Sequence, residues 1–423
     1  MSSKLAFVVR NGRLPTYSGL VDVVVKDGVI ANIEDADGAD VDRYDDGAVF
    51  DAEGGLLSPG FVDGHMHLDM AYAAESRSLD WNEESLDADR FHSLMNEYYA
   101  DQTVSSLADN AERAIRTAVA NGTTHLRTHA MVDLDPGLDT LRALLQAKES
   151  TSHLADVQIV PYASRGILAE GNGELVEEAI ELALDVAGAD DIRVGGMDPA
   201  GRNRAIERTQ DRWFEVAIKY DVGLDVHLQD GGTAGTYILE EFLDRVESHD
   251  YEGRVTVSHG FCLGHIPEWQ SEGLAERLVD LDVGIVTCYT SAPVDMPLRT
   301  LNDAGVTVGH GTDNTCDFGF PHGTPDSMLG AFVQLIKLRG SPVDNADVGW
   351  FGTNPGVRLL LMFLTEGGAD VLDIDRYGLD VGSAATFVVF DESTREEAIL
   401  RRATPQYVFK HGRLVARERE IVE

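Results

Sequence analysis

His65 and His67 lie in Pro59-Gly60-Phe61-Val62-Asp63-Gly64-His65-Met66-His67-Leu68-Asp69. Apolar Phe61 and Val62 lead in as a short strand. Residues two apart on a strand face the same way. Two imidazoles on one face are half of a metal site, since zinc accepts imidazole at about 2.0–2.1 Å. Two histidines at a strand end also fit this stretch alone, so the rest of the chain decides. Four further apolar runs end in polar side chains. Thr124-His125-Leu126-Arg127-Thr128-His129 offers Arg127 or His129. Gly223-Leu224-Asp225-Val226-His227-Leu228-Gln229-Asp230 offers His227 and then Asp230. Val255-Thr256-Val257-Ser258-His259 offers His259, and Val308-Gly309-His310-Gly311-Thr312-Asp313 offers Asp313.

Three imidazoles and a carboxylate leave one position for water on a single ion. Zinc lowers the pKa of such water from 15.7 to about 7, so that it attacks an sp² carbon. A two-metal site of this design often needs a modified lysine at a strand end. No lysine falls on the apolar runs. One divalent ion is expected, and ligand type does not separate zinc from iron.

Apolar strand candidates are 60–67, 123–129, 157–163, 192–197, 223–228, 254–259, 283–288 and 306–310. Helical periodicity fills most gaps: 103–120, 136–149, 174–187, 205–220, 236–248 and 268–279. Eight strands alternating with helices predict an α/β chain folded as a (β/α)8 TIM barrel, whose strand ends converge on one site. A doubly wound open sheet is the alternative; no GxGxxG follows the first strand to support it. Short strands at 5–9, 20–26, 29–33 and 48–50 precede the barrel, with turn signals at Asn11-Gly12 and Asp27-Gly28. Strand-like 385–390 and 407–409 follow it, with a turn at Lys410–Arg413. Both ends are expected to build one small β-sandwich, from 1–57 and 369–423, around a barrel at 58–368. The long first connection, Met70 to about Asp101, holds Trp81, Asn82 and His92 and is read as part of a lid. His92, His153, His249 and His411 are read as surface residues, and His125 and His310 as structural. His265 and His322 are read as loop residues near the mouth.

The net charge is −39, from 73 acidic and 34 basic side chains, and it is spread along the chain. Such a surface repels nucleic acid and anionic membrane. Its self-repulsion is screened by salt, so a high-salt cytoplasm is expected. Cys262, Cys288 and Cys316 are too few and too scattered for a disulfide frame or a cysteine zinc site. The opening Met1–Phe7 has too short an apolar run for a signal peptide, and no run of about 18 apolar residues spans a membrane. A soluble cytoplasmic protein is the expectation.

The ordered set resembles the amidohydrolase superfamily, and within it the cytosine-deaminase-like branch. It comprises Ser58–Asp69, Arg127-Thr128-His129, Gly166-Ile167-Leu168, His227 with an acid three residues on, Val255–His259, Gly309–Asp313 and Tyr377–Ala385. The resemblance implies that His65, His67, His227 and Asp313 hold the metal. It implies that His259 hydrogen-bonds water and substrate, that Asp313 takes the first proton, and that Asp230 shuttles protons to the ring and the leaving amine. Asp230 stands where that branch has Glu. Ser164, beside Arg165, replaces a substrate-binding Gln. Asn314 replaces an acid, and Gly319 replaces a Trp, which suggests a roomier pocket. Ser164, Arg165, Asn314, Asp317 and Trp81 are therefore the candidate substrate contacts. The implied substrate is a small heterocycle with a cyclic amidine, pyrimidine- or triazine-like rather than cytosine itself. Hydrolysis of another C–N bond, in an N-alkylamino triazine or a cyclic amide, is the alternative; a non-catalytic binding protein is a third. The family tends to assemble, so a homo-oligomer is compatible.

Overall fold

The computed structural model describes residues 7–36, 38, 48–77, 87–133, 137–288, 295–340 and 349–422. β1 (Phe7–Arg13), β2 (Leu20–Lys26), β3 (Val29–Asp35) and β4 (Val49–Asp51) form a sheet of order β3-β2-β1-β4. Asp27 and Gly28, at φ 55° and 79°, make the expected tight turn between β2 and β3. Asn11-Gly12 is not a turn. Both residues lie inside β1, where the register shifts between Val9 and Gly12. Asn11 takes φ 54° as a bulge, and its amide donates to Asp22 Oδ1 at 3.0 Å. A dipeptide that accepts positive φ serves a bulge as well as a turn.

β5 (Leu57–Pro59) leads into the parallel strands. β6 (Phe61–Met66), β7 (Thr123–Met131) and β8 (Asp156–Tyr162) form one parallel sheet. β9 (Arg193–Met197), β10 (Gly223–Leu228), β11 (Val255–His259), β12 (Val283–Cys288) and β13 (Val308–Gly311) form a second, of order β13-β12-β11-β10-β9. Parallel bridges Met66↔Asp313 and Ile159↔Ile192 lie between the edges of the two sheets. These strands are almost wholly buried, which explains their continuous apolar runs.

The intervening helices are α1 (Ala88–Tyr99), α2 (Val104–Ala120), α3 (Leu138–Ser150), α4 (Asn172–Ala187), α5 (Ile206–Tyr220), α6 (Gly232–Ser248), α7 (Glu268–Asp280) and α8 (Leu298–Ala304). α2 starts at a reciprocal Thr103–Ser106 capping box and buries Leu107, Ala111, Ala114, Ile115 and Ala118 at helical spacing. α9 (Ser327–Arg339), α10 (Asn354–Leu364) and α11 (Glu366–Leu372) follow β13. Gly367 and Gly368 let α11 sit directly on the sheet. A Cβ at 367 would meet the Val308 carbonyl oxygen at 2.1 Å, and one at 368 the Val62 Cβ at 2.8 Å.

β14 (Phe387–Phe390), β15 (Pro405–Lys410), β16 (Arg413–Arg417) and β17 (Glu420–Ile421) join β5 in an antiparallel sheet, with α12 (Arg395–Arg401) between β14 and β15. One apolar cluster draws on both ends of the chain, including Phe7, Val23, Ile30, Phe387 and Phe409. The Phe7 and Phe409 rings stack at 4.7 Å.

His125 is buried in β7, with Nδ1 2.9 Å from Thr124 Oγ1 and Nε2 3.3 Å from Asp156 Oδ2. Burial holds its pKa down to about 4, and burial holds buried His310 at about 4 as well. Below the ordinary value of about 6.5 only the unfolded chain takes up these protons. Stability is therefore expected to fall as pH drops from 6.5 to 4, by roughly 3 kcal/mol per histidine. Calorimetric melting across this window tests it: His125→Gln should flatten the acid slope, and an unchanged slope would count against it.

Candidate metal centre

Ser258 Oγ donates to Asp225 Oδ1 at 2.7 Å, so it accepts from His65 Nδ1, 2.8 Å away. That fixes the proton of His65 on Nδ1 and leaves the Nε2 lone pair facing inward. His227 Nδ1 lies 3.0 Å from the Gly196 carbonyl, which can only accept. Its Nε2 lone pair is therefore also free. The two lone pairs converge with His67 and Asp313. His67 Nε2 is 3.2 Å from His227 Nε2 and 3.6 Å from Asp313 Oδ1, and His65 Nε2 is 3.5 Å from the same oxygen. Two donors bound at about 2.0–2.1 Å to one tetrahedral ion lie roughly 3.3–3.4 Å apart. The spacing matches. His65 Nε2 is buried without a hydrogen-bond partner, as a nitrogen awaiting a cation would be. Nitrogen with one carboxylate suits zinc or iron.

Strand ends supply each group. His65 is on β6 and His67 just beyond it, His227 is on β10, His259 closes β11, and Asp313 follows β13. His259 and Asp313 hold φ 74° and 64°, left-handed conformations that cost non-glycine residues energy. Asp313 is pinned between the His65 carbonyl and the His67 amide, both at 2.8 Å. Burial pushes its carboxyl up, but the imidazoles of His65, His259 and His67 outweigh this and hold it well below the usual range. His129, one of two β7 options, joins the cluster with its ring 4.1 Å from that of His65. Arg127 instead lies beneath it, donating to Asp225 Oδ2 at 2.9 Å and Thr256 Oγ1 at 3.0 Å. Cys288 is near His65 and His259, but burial raises its thiol well above the ordinary value, so it is no ready thiolate.

A model of the amidohydrolase family matches residues 56–415. The chain belongs to the amidohydrolase family. It is 31% identical over 429 aligned residues to N-isopropylammelide isopropyl amidohydrolase of Pseudomonas sp. (strain ADP), covering 100% of both chains. It is similar to the crystal structure of N-isopropylammelide isopropylaminohydrolase from Burkholderia multivorans, with TM-score 0.84 and 28% identity over 99% of this chain and 100% of that one. It is also similar to 5-methylcytosine deaminase from Klebsiella pneumoniae liganded with 5-fluorocytosine, with TM-score 0.83 and 25% identity over 99% of each chain.

Around the centre of this amidohydrolase, several residues sit otherwise than their sequence suggests. His92 is buried, not on the surface, and its Nε2 lies 3.2 Å from Ser164 Oγ. The polar look of 87–99 hides an apolar face. Leu94, Met95, Tyr98 and Tyr99 of α1 pack on Met70, Met131, Tyr162 and Phe318 and carry His92 inward. Ser164 is buried as well, donating to Asp133 Oδ1 at 3.1 Å, whereas Arg165 is exposed. Asp230 turns to the loop after β9 and accepts from the Ala200 amide at 3.3 Å. Gln229 reaches His259 instead, with Nε2 atoms 3.2 Å apart. Strand alternation from His227 points to position 229 rather than to the acid three residues on.

Asp317 is fully buried, and its oxygens accept from Asn314 Nδ2 and from the Thr315, Gly319 and Phe320 amides. It and Asn314 hold the loop after β13 to each other. A Cβ at Gly319 would already lie 3.3 Å from both, so this glycine marks close packing rather than a roomier pocket. His322 is exposed, and His265 Nδ1 lies 3.4 Å from the Gly232 amide. Trp81 and Asn82 lie outside the described residues. Tyr162 ends an apolar strand with no signal of its own in the sequence, yet its ring stacks on that of His227 at 5.0 Å.

Proposed function

We propose that this amidohydrolase is a mononuclear, metal-dependent aminohydrolase that releases ammonia from a cyclic amidine on a pyrimidine- or triazine-like ring. The observation that carries this is the spacing of His65, His67, His227 and Asp313, whose donor atoms lie 3.2–3.6 Å apart along three edges. We read the eight parallel strands as a closed (β/α)8 barrel over 58–368; the bridges Met66↔Asp313 and Ile159↔Ile192 support closure. The apolar cluster shared by both chain ends supports a β-sandwich from 1–57 and 369–423.

His65, His67, His227 and Asp313 would hold one zinc or iron ion. When bound, that ion supplies a Lewis acid and lowers the pKa of water. Asp313 takes the proton of the attacking water on its carboxylate. His259 Nε2, steadied by Gln229, orients water and substrate. Asp230 passes protons to the ring and the leaving amine, together with Asp198. Burial raises both carboxyls, Asp198 to about 7 with help from the charge of Asp230. Asp198 Oδ1 accepts from the Asp230 amide at 3.2 Å. Such a pair holds a proton near neutral pH. Ser164, Arg165, Asn314, Asp317 and Trp81 remain the proposed substrate contacts, with Asn314 and Asp317 acting through their loop.

The likeness to two N-isopropylammelide hydrolases favours a second reading, in which an N-alkylamino group leaves. The metal-loaded protein should be assayed on cytosine, isocytosine, guanine, creatinine, ammelide and an N-alkyl ammelide. Ammonia from any ring supports the first reading, and alkylamine alone supports the second. Neither product, with one ion bound, would sink both.

No helix among the described residues is long and apolar enough to cross a membrane. We read the protein as cytoplasmic, compatible with a homo-oligomer, and adapted to salt. With net charge −39, its melting temperature should rise by several degrees on going from dilute buffer to molar KCl. A flat response would argue against salt adaptation.

A further inference from the structure

The loop after β9 carries Asp198-Pro199-Ala200-Gly201-Arg202-Asn203-Arg204 across the mouth, and it is held on two sides. Asp198 Oδ1 accepts from the Gln229 amide at 2.7 Å, and Asp230 Oδ2 from the Ala200 amide at 3.3 Å, which ties it to the loop after β10. On the other side Asn203 Oδ1 accepts from the Leu168 amide at 3.3 Å. A Cβ at Gly166 would meet Asn203 at 2.4 Å, so the loops after β8 and β9 are in close contact.

Arg202 is half-buried between them. Several other partly buried arginines are ion-paired, Arg212 with Glu177, Arg245 with Asp211 and Arg395 with Glu366, and Arg193 donates to the Asp190 and Ile192 carbonyls. Arg202 makes no ion pair and no side-chain hydrogen bond among the described residues; its charge acts at longer range on Asp198 and Asp230. Arg165, from the neighbouring loop, makes no ion pair among them either; its guanidinium donates to the Asp133 carbonyl at 3.1 Å and its backbone amide to Asp133 Oδ2 at 2.6 Å. Both guanidinium groups act on buried His92, which burial first and then Arg202 and Arg165 hold below its ordinary value. Met197, the last residue of β9, pairs with His227, so the loop that carries Arg202 leaves the sheet beside the candidate metal donors. The Tyr162 ring stacks on that of His227, and its hydroxyl is within electrostatic reach of Arg202.

We propose that Arg202, backed by Arg165, is a specificity-determining residue that receives an anionic oxygen edge of the substrate. This deepens the ring-hydrolase reading above and rests on it: the ring that fits is an oxo-substituted one bearing negative charge, either as a ring oxyanion or as a pendant carboxylate. A planar guanidinium on a rigid loop presents paired donors to such an edge. Neutral amino rings leave it unmatched.

Calorimetric titration of the metal-loaded protein, at one fixed KCl concentration, separates the cases. The probes are cyanurate for the ring oxyanion, orotate for the carboxylate and cytosine as the neutral ring. At least one anionic probe should bind about tenfold or more tightly than cytosine. Arg202→Ala should weaken that probe by about 10- to 100-fold and leave cytosine within about twofold; Arg202→Lys should restore part of the loss. Arg208→Ala, the same charge change at an exposed site on α5, should alter nothing. A cyanurate response assigns the ring oxyanion, and an orotate response the carboxylate. Equal binding of all three probes, or an Arg202→Ala effect that is absent or equal across them, overturns the proposal. Metal content and amine release by the unaltered protein judge the hydrolase reading separately, so the two fail in different assays.

Discussion

Asp313→Ala should lose turnover by at least about 10²–10⁴-fold, the range for removing a positioned general base alone. It should also lose metal, because Asp313 Oδ1 is the atom shared by His65 and His67 at 3.5 and 3.6 Å. The fold should persist: the loop after β13 is held by backbone bonds from Asp313 to His65 and His67 and by the buried Asp317. Asp313→Asn keeps the shape and tolerates the left-handed backbone, yet removes the base, so it should be nearly as inactive. Metal per chain and a melting curve measured alongside activity separate these effects. Near-normal turnover in either variant would mean that the site is misassigned.

The second large effect lies beneath the candidate metal centre. Arg127 and Asp225 are both buried, and their ion pair at 2.9 Å continues through Ser258 to His65 Nδ1. Arg127 also donates to Gln158 Oε1 and to the Val371 carbonyl. Arg127→Met leaves a carboxylate buried without its counter-charge, which typically costs about 3–5 kcal/mol. Metal affinity should drop as well, by about 10- to 100-fold, because the group that orients His65 loses its own support. Pairing it with Asp225→Leu should recover much of the stability and little of the affinity. Recovery of both would show that the chain Arg127–Asp225–Ser258–His65 is structural only.

The parallel strands were legible because burial on both faces leaves apolar runs with polar ends. The expected 283–288 and 223–228 coincide with β12 and β10. The helices after β13 were harder. α10 reads Val357-Arg358-Leu359-Leu360-Leu361-Met362-Phe363-Leu364, and Leu359, Leu360 and Leu361 are all buried, so it shows little amphipathic period. α1 failed for the opposite reason, since its charged face dominates a short segment. Within the candidate site, His65, His67, His227, His259 and Asp313 were visible because each lies at or just beyond the end of a strand. Gln229 and Arg202 were not. Alternation from His227 reaches position 229 but does not tell a side chain that meets His259 from one turned to solvent, and the guanidinium of Arg202 becomes conspicuous only when its neighbours are placed.

Metal stoichiometry tests the mononuclear centre most directly. The metal-free protein would be titrated with zinc in molar KCl, and amine release followed against ions bound per chain. Activity should rise linearly and level off at one ion per chain, and His227→Ala should abolish both binding and activity. Activity without metal, or a plateau reached only at two ions, would contradict a mononuclear centre built from His65, His67, His227 and Asp313.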